Sequence, residues 1–459
     1  MKKRVLALIV IIASLLLAGC EGKPVFKTEH RNELSLLIDD LDAQRKRDLE
    51  QAPVDASTMI QTVSPYGDYS SMAQWQSRGS KKSILSAQEA REDVVAAFDL
   101  LHDLYGGYHY FGGDEVFGPL KESVLSQLYD GERYTIRELK ALLQEALSPV
   151  LQDGHFAIGG TLLLEERQRM FFVPDVYFDE TDGLDSAYVK PTIAPEGKLT
   201  YCFAALSKDG EDLPTGIGTY VKLEWTPAED VQIGAEPVAY HKSEKDGLTF
   251  LTCQSMDTYF QEPLLEFARS GAEYQELNSF VIDLRGNRGG SPYYWREWLT
   301  GFLGEKPQAR ETIAIRWPDT SGFYGYLGYI TPKTQGSYTI NTSVGLWNEN
   351  ERTIFCLIDG QTGSAAEWFA AYLHTLGHVV FIGSNTRGMM LIGGNFTYYL
   401  PNSGLDIFFG VGLHFYQDTD NYDGIGQQPD LWVEPAKAAD AVTAMWKYYS
   451  EGMPAEFKS

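Results

Sequence analysis

The chain has 459 residues, 44% of them hydrophobic, and a net charge of −25 from 63 acidic and 38 basic side chains. Its length suggests two or three domains, and its apolar content is enough for real cores, which excludes bulk disorder. The acidity argues against nucleic acid as a partner and against an electrostatic hold on anionic lipid.

The N-terminus reads as a targeting segment. Met1-Lys2-Lys3-Arg4 precedes an apolar run from Val5 to Leu17, which continues into Ala18-Gly19-Cys20. A basic start and a short apolar stretch describe a secretory signal, and small residues before a cysteine describe the lipobox of bacterial lipoproteins. Residues 1–20 are thus expected to form a lipoprotein signal. Lipidated Cys20 would then anchor the mature protein in the cell envelope, on the extracytoplasmic side of a membrane. The run is short for a transmembrane helix. Of the remaining cysteines, Cys202 and Cys253 could pair in an exported protein, while Cys356 lies in a predicted core strand and reads as a buried thiol. There is no Cys-X-X-Cys and no paired-histidine spacing, so no metal site is indicated and no cofactor is implied.

Residues 21–83 are polar and read as a tether with an irregular lead-in. From 84 to 160 the pattern is helical. Ser86 with Glu89, and Thr135 with Glu138, have capping-box spacing. Val94, Phe98 and Leu101 share one helical face, and Leu139, Leu143 and Leu147 another. This region ends in Asp153-Gly154-His155, and a single histidine in such a place is usually structural. Residues 161–255 break into short strands separated by Asp, Gly and Pro. From 256 to 447 strands alternate with helices, which predicts an α/β core, and 448–459 is a tail.

Two segments of that core stand out. Asp283-Leu284-Arg285-Gly286-Asn287-Arg288-Gly289-Gly290 follows a predicted buried strand. Its glycines can turn backbone N–H groups outward. It lacks the Gly-Lys-Ser/Thr of a phosphate loop, and an ordinary glycine turn is the plain alternative. The second segment is the apolar run Thr353–Ile358, then a turn, then Ser364-Ala365-Ala366-Glu367. Apolar residues at 365, 368, 369, 372, 373 and 376 and a stop at Gly377 predict a helix that begins just after Ser364. A serine there is either an N-cap or a nucleophile beside unpaired N–H groups that favour an oxyanion.

With Tyr422-Asp423-Gly424-Ile425-Gly426-Gln427-Gln428-Pro429-Asp430 near the end, these segments together resemble the tail-specific, or C-terminal processing, serine peptidases. The likeness leans toward the branch similar to the tricorn core and covers roughly residues 90–160 and 256–435. The resemblance implies a ClpP/crotonase-like α/β catalytic core with an N-terminal helical region and a β-rich inserted region. The insertion occupies the place of a PDZ module without a clear carboxylate-binding loop. Matched position by position, Ser364 is the expected nucleophile, His155 the general base and Asp423 the group that orients the histidine. Gly289 or Gly290, together with Ala365, would supply the oxyanion N–H groups. The serine–lysine branch has its lysine where Met389 stands here. The tricorn-like branch can have a serine where Gly154 stands. The expected activity is hydrolysis of protein or peptide substrates by a lipid-anchored serine endopeptidase. The alternative is a peptidase-fold binding or scaffold protein of the cell envelope without turnover.

Overall fold

The computed structural model describes residues 32–52, 54–67, 82–164, 166–217, 221–234, 236–316, 337–416 and 420–450. The expected signal segment and Cys20 lie outside them. Among the described residues no helix is long and apolar enough to cross a membrane.

The apolar run Thr353–Ile358 forms a strand inside a six-stranded sheet. Leu248–Thr252, Ser279–Asp283, Thr353–Ile358, Val379–Gly383 and Leu431–Trp432 are parallel neighbours, and His241–Lys245 adds an antiparallel edge. Parallel sheets are covered on both faces, and the two-residue alternation of each strand divides its side chains between two cores. Phe280, Ile282, Ile354 and Cys356 pack with the helices Gln261–Ser270, Pro292–Leu303 and Ala365–Leu373. Val281, Phe355 and Leu357 pack on the other face with Ala438–Ser450 and Glu33–Leu49. The adjacent strands Ser279–Asp283 and Thr353–Ile358 therefore deliver the glycine-rich turn and the Ser364 turn side by side, at their carboxyl ends.

A second sheet contains Glu311–Arg316, Asp406–Phe415 and Ala157–Ile158, with Ile392–Tyr399 paired to Asp406–Phe415. Leu101, Leu143 and Leu147 of the N-terminal helices share a core with Ile407, Phe409 and Leu413 of this sheet. Ser86–Glu89 and Thr135–Glu138 form the capping boxes their spacing predicts. The helix Ile136–Leu147 runs down to Asp153-Gly154-His155, and Ala157–Ile158 then pairs with Ile407–Phe408. The segment carrying His155 is thus fixed between a helix and a sheet. A third sheet of short strands, including Arg169–Phe172 and Leu199–Ser207, forms the β-rich region.

The structure corrects four sequence expectations. The lead-in is not irregular throughout, because Glu33–Leu49 is a helix capped by Asn32. Leu34 and Ile38 reach the sheet, and Arg45 pairs with Asp430 at 2.7 Å. Charged residues dominate that helix and masked its narrow apolar stripe. The boundary at residue 255 also falls too late, since the hairpin from His241 to Thr252 belongs to the parallel sheet. Cys202 and Cys253 are free thiols buried in separate cores. Finally, residues 448–450, expected in the tail, belong to the helix Ala438–Ser450.

Candidate active site

Ser364 has φ +55° and ψ −120°, a conformation that costs a side-chain-bearing residue ~1–3 kcal/mol and so must be held by its surroundings. Several bonds hold it. The Asp359 carboxylate accepts the N–H groups of Gln361 and Thr362 at 3.0 Å each, closing the turn before the serine. Gly363 N–H donates to the Asn287 carbonyl at 2.8 Å, which joins this turn to the glycine-rich one. Glu367, 0% exposed, accepts Ser364 N–H at 2.9 Å. The same carboxylate accepts the Thr386 hydroxyl at 2.6 Å and the N–H groups of Gly388 and Met389 at 2.8 Å each. One buried carboxylate therefore joins the serine to the loop Thr386–Met389. Burial pushes Glu367 up to about 7 against the opposing effect of its donors.

The structure brings His155 to this serine although they are far apart in the chain. His155 Nε2 lies 3.0 Å from Ser364 Oγ. Burial, followed by the charge of Arg387, pushes the imidazole down to about 4. The ring is therefore neutral at neutral pH and has one unprotonated nitrogen. Asp153 accepts His155 N–H at 2.8 Å and the Tyr105 hydroxyl at 2.8 Å.

Asp423 comes to the same place but does not hold the imidazole. Its Oδ2 accepts Gly154 N–H at 2.8 Å, and its Oδ1 accepts the N–H groups of Met390 and Leu391 at 2.8 and 3.0 Å. Among the described residues His155 Nδ1 is buried with no carboxylate bonded to it, and the ring's backbone neighbour, Ile392, favours its protonated form. The expected contact is thus replaced by one a residue earlier, because three backbone donors already occupy the short aspartate. Asp153 and Asp423 are both buried. Burial raises Asp153 to about 7, with the Asp423 charge adding to it, and burial raises Asp423 to about 6. The absence of a serine at position 154 also has a steric cause. A Cβ there would lie 2.7 Å from Met389 Cγ and 2.8 Å from the Gly388 carbonyl.

The two glycines proposed for the oxyanion site are not equivalent. Gly289 N–H donates to Asn287 Oδ1 at 2.9 Å and is committed there. Among the described residues, the N–H groups of Gly290 and Ala365 have no acceptor. Both residues line a cavity of about 570 Å³ shared with Ser364, His155, Met389 and Trp295. A hydroxyl bonded to a neutral imidazole, beside two free N–H groups in one cavity, can carry out acyl transfer. The Glu367 tether was missed in the sequence, although Ser364-Ala365-Ala366-Glu367 has the Ser-x-x-Glu spacing that signals it.

Residues 248–433 match the Peptidase family S41 model. No curated protein matches the chain. Among solved structures, mature CPAF is 13% identical over 80% of this chain and 96% of its own, with a TM-score of 0.43. The photosystem II D1 C-terminal processing protease is 12% identical over 77% and 96%, at 0.39. The tricorn protease is 12% identical over 81% of this chain and 37% of its own, at 0.37. On the strength of the family match, the chain carries a domain of Peptidase family S41, the C-terminal processing peptidases, and is a serine-type hydrolase.

Proposed function

We propose that the protein is a lipid-anchored endopeptidase of the cell envelope in which Ser364 and His155 work as a pair. The observation that carries this reading is the 3.0 Å contact between Ser364 Oγ and His155 Nε2 at a strained turn that opens a helix. His155 Nε2 takes the hydroxyl proton as Oγ attacks the scissile carbonyl. The oxyanion that forms receives the N–H groups of Gly290 and Ala365, each donor contributing about 3 kcal/mol to the transition state. His155 then returns the proton to the departing amine. A water molecule, deprotonated by the same nitrogen, releases the acyl group from Ser364. Asp423 is a positioning residue that acts through Gly154 N–H, and Asp153 acts likewise through His155 N–H.

Fluorophosphonate labelling of the wild type beside Ser364→Ala and His155→Ala tests the reading. Wild-type labelling that is absent from both folded variants is the expected result. Equal labelling of Ser364→Ala would overturn it. The anchor rests on Leu17-Ala18-Gly19-Cys20. Cys20→Ala should prevent lipid attachment in a cell fed a labelled fatty acid, and retained label would remove Cys20 from the account.

A further inference from the structure

The turn that leads into Ser364 is surrounded by arginines, in a chain whose net charge is −25. Arg167 lies across Gly360, its guanidinium crowding the place where a Cβ would sit. Arg288 Nε donates to Gln361 Oε1 at 3.1 Å. The Arg387 side chain covers Gly363, with its Cδ 3.3 Å from where a Cβ would sit, and its backbone N–H donates to the Thr362 carbonyl at 2.8 Å. Three arginine side chains from separate parts of the sequence thus touch Gly360, Gln361 and Gly363 of one turn.

Their charge is poorly matched. Asp230 pairs with Arg167 at 2.6 Å and also accepts Gly360 N–H at 2.9 Å. The other carboxylates at the turn, Asp359 and Glu367, are buried and committed to backbone N–H groups and threonine hydroxyls. Among the described residues, neither Arg288 nor Arg387 has a carboxylate partner. Among the same described residues, Arg387 Nε reaches the Met389 sulfur at 3.0 Å, and Arg167 Nη1 is buried with no acceptor. Arg288 is exposed and Arg387 half-buried, so both can be reached from solvent. Burial, then the charges of Arg167 and Arg288, pushes Arg387 below the usual arginine range, against the opposing charges of Glu367 and Asp230.

We infer that Arg387 and Arg288, backed by Arg167, form a carboxylate-binding site beside Ser364 that selects substrates carrying an acidic group close to the bond to be cut. A guanidinium fork matches a carboxylate in geometry as well as charge. The carboxylate can come from an acidic side chain or from a chain terminus. The inference deepens the peptidase reading, and its binding test needs no turnover.

The test uses the full chain with Ser364→Ala, so that peptides stay intact, and three N-acetylated alanine–glycine peptides of equal length. One ends in a free carboxylate, one in an amide, and one in an amide with a single internal glutamate. Calorimetry should show at least one carboxylate peptide binding about tenfold more tightly than the neutral amide. Which of the two does so identifies the source of the carboxylate. The advantage should vanish when Arg288→Gln and Arg387→Gln are added, with thermal unfolding unchanged. Three equal affinities, no measurable binding of either acidic peptide, or an advantage that survives both substitutions would each overturn the inference. A wild type that fails to label with fluorophosphonate would instead sink the peptidase reading and leave this binding result standing.

Discussion

Glu367→Gln is the sharpest perturbation of the site because it changes almost no volume and removes one charge. The native carboxylate receives four donors, two on each oxygen, at 2.6–2.9 Å. Glutamine keeps one oxygen and presents an NH₂ group to the other two donors. If the NH₂ faces Thr386 and Gly388, the threonine hydroxyl can rotate to accept, but Gly388 N–H is stranded. If it faces Ser364 and Met389, two backbone donors are stranded. Each buried donor without a partner costs about 1–3 kcal/mol, and the remaining bonds lose their charge assistance. The expected loss is about 2–4 kcal/mol, read from urea unfolding midpoints at about pH 8, where a group pushed up to about 7 is ionised. Ser364 N–H would then meet a neutral amide oxygen or an NH₂ group in place of a carboxylate, so the hold on its positive φ weakens and the fluorophosphonate labelling rate should fall by at least about tenfold. A variant within about 0.5 kcal/mol of wild type that labels at the same rate would refute this account of the turn.

Three further outcomes follow from the surroundings of His155. Gly154→Ala forces a Cβ against Met389 and the Gly388 carbonyl, and the displaced histidine should slow labelling by about a hundredfold; an unchanged rate would show that the loop can move aside. The imidazole, pushed down to about 4, should titrate by NMR well below the ordinary histidine range, and a transition near 6.5 would contradict its burial. Asp423 is raised to about 6 in the folded state, so the fold binds its proton more tightly than the unfolded chain does, and its contribution to stability falls as pH rises from about 4 to about 6. Asp423→Asn should therefore be most destabilising relative to wild type at the acid end of that window. A deficit that grows with pH would contradict it.

Much of this arrangement was legible in the sequence because local signals carried it. The apolar run before Ser364 and the 3.6-residue pattern after it fix a strand, a turn and a helix, whatever the rest of the chain does. The two capping boxes likewise gave the N-terminal helices that lead to His155. Contacts made across the fold were less accessible. Asp423 was placed at the right site with the wrong partner, because no spacing reports that Met390, Leu391 and Gly154 would present their N–H groups to it first. The choice of Gly290 over Gly289 depends on a single bond from Gly289 to the Asn287 side chain. Arg167, Arg288 and Arg387 come from separate regions and share no motif, so only the folded turn brings them together. The helix Glu33–Leu49 was obscured for the opposite reason, since its local signal is charged and its apolar stripe is narrow.

The loop from Thr386 to Leu391 is gripped by two buried carboxylates, Glu367 from the serine side and Asp423 from the histidine side. Neither half of the pair is set by its own stretch of chain, because each depends on a segment made later in synthesis. A nascent or partly unfolded molecule therefore has a serine and a histidine but not the contact between them. If Ser364 and His155 act as proposed, proteolytic capacity arrives only with the last pieces of the fold.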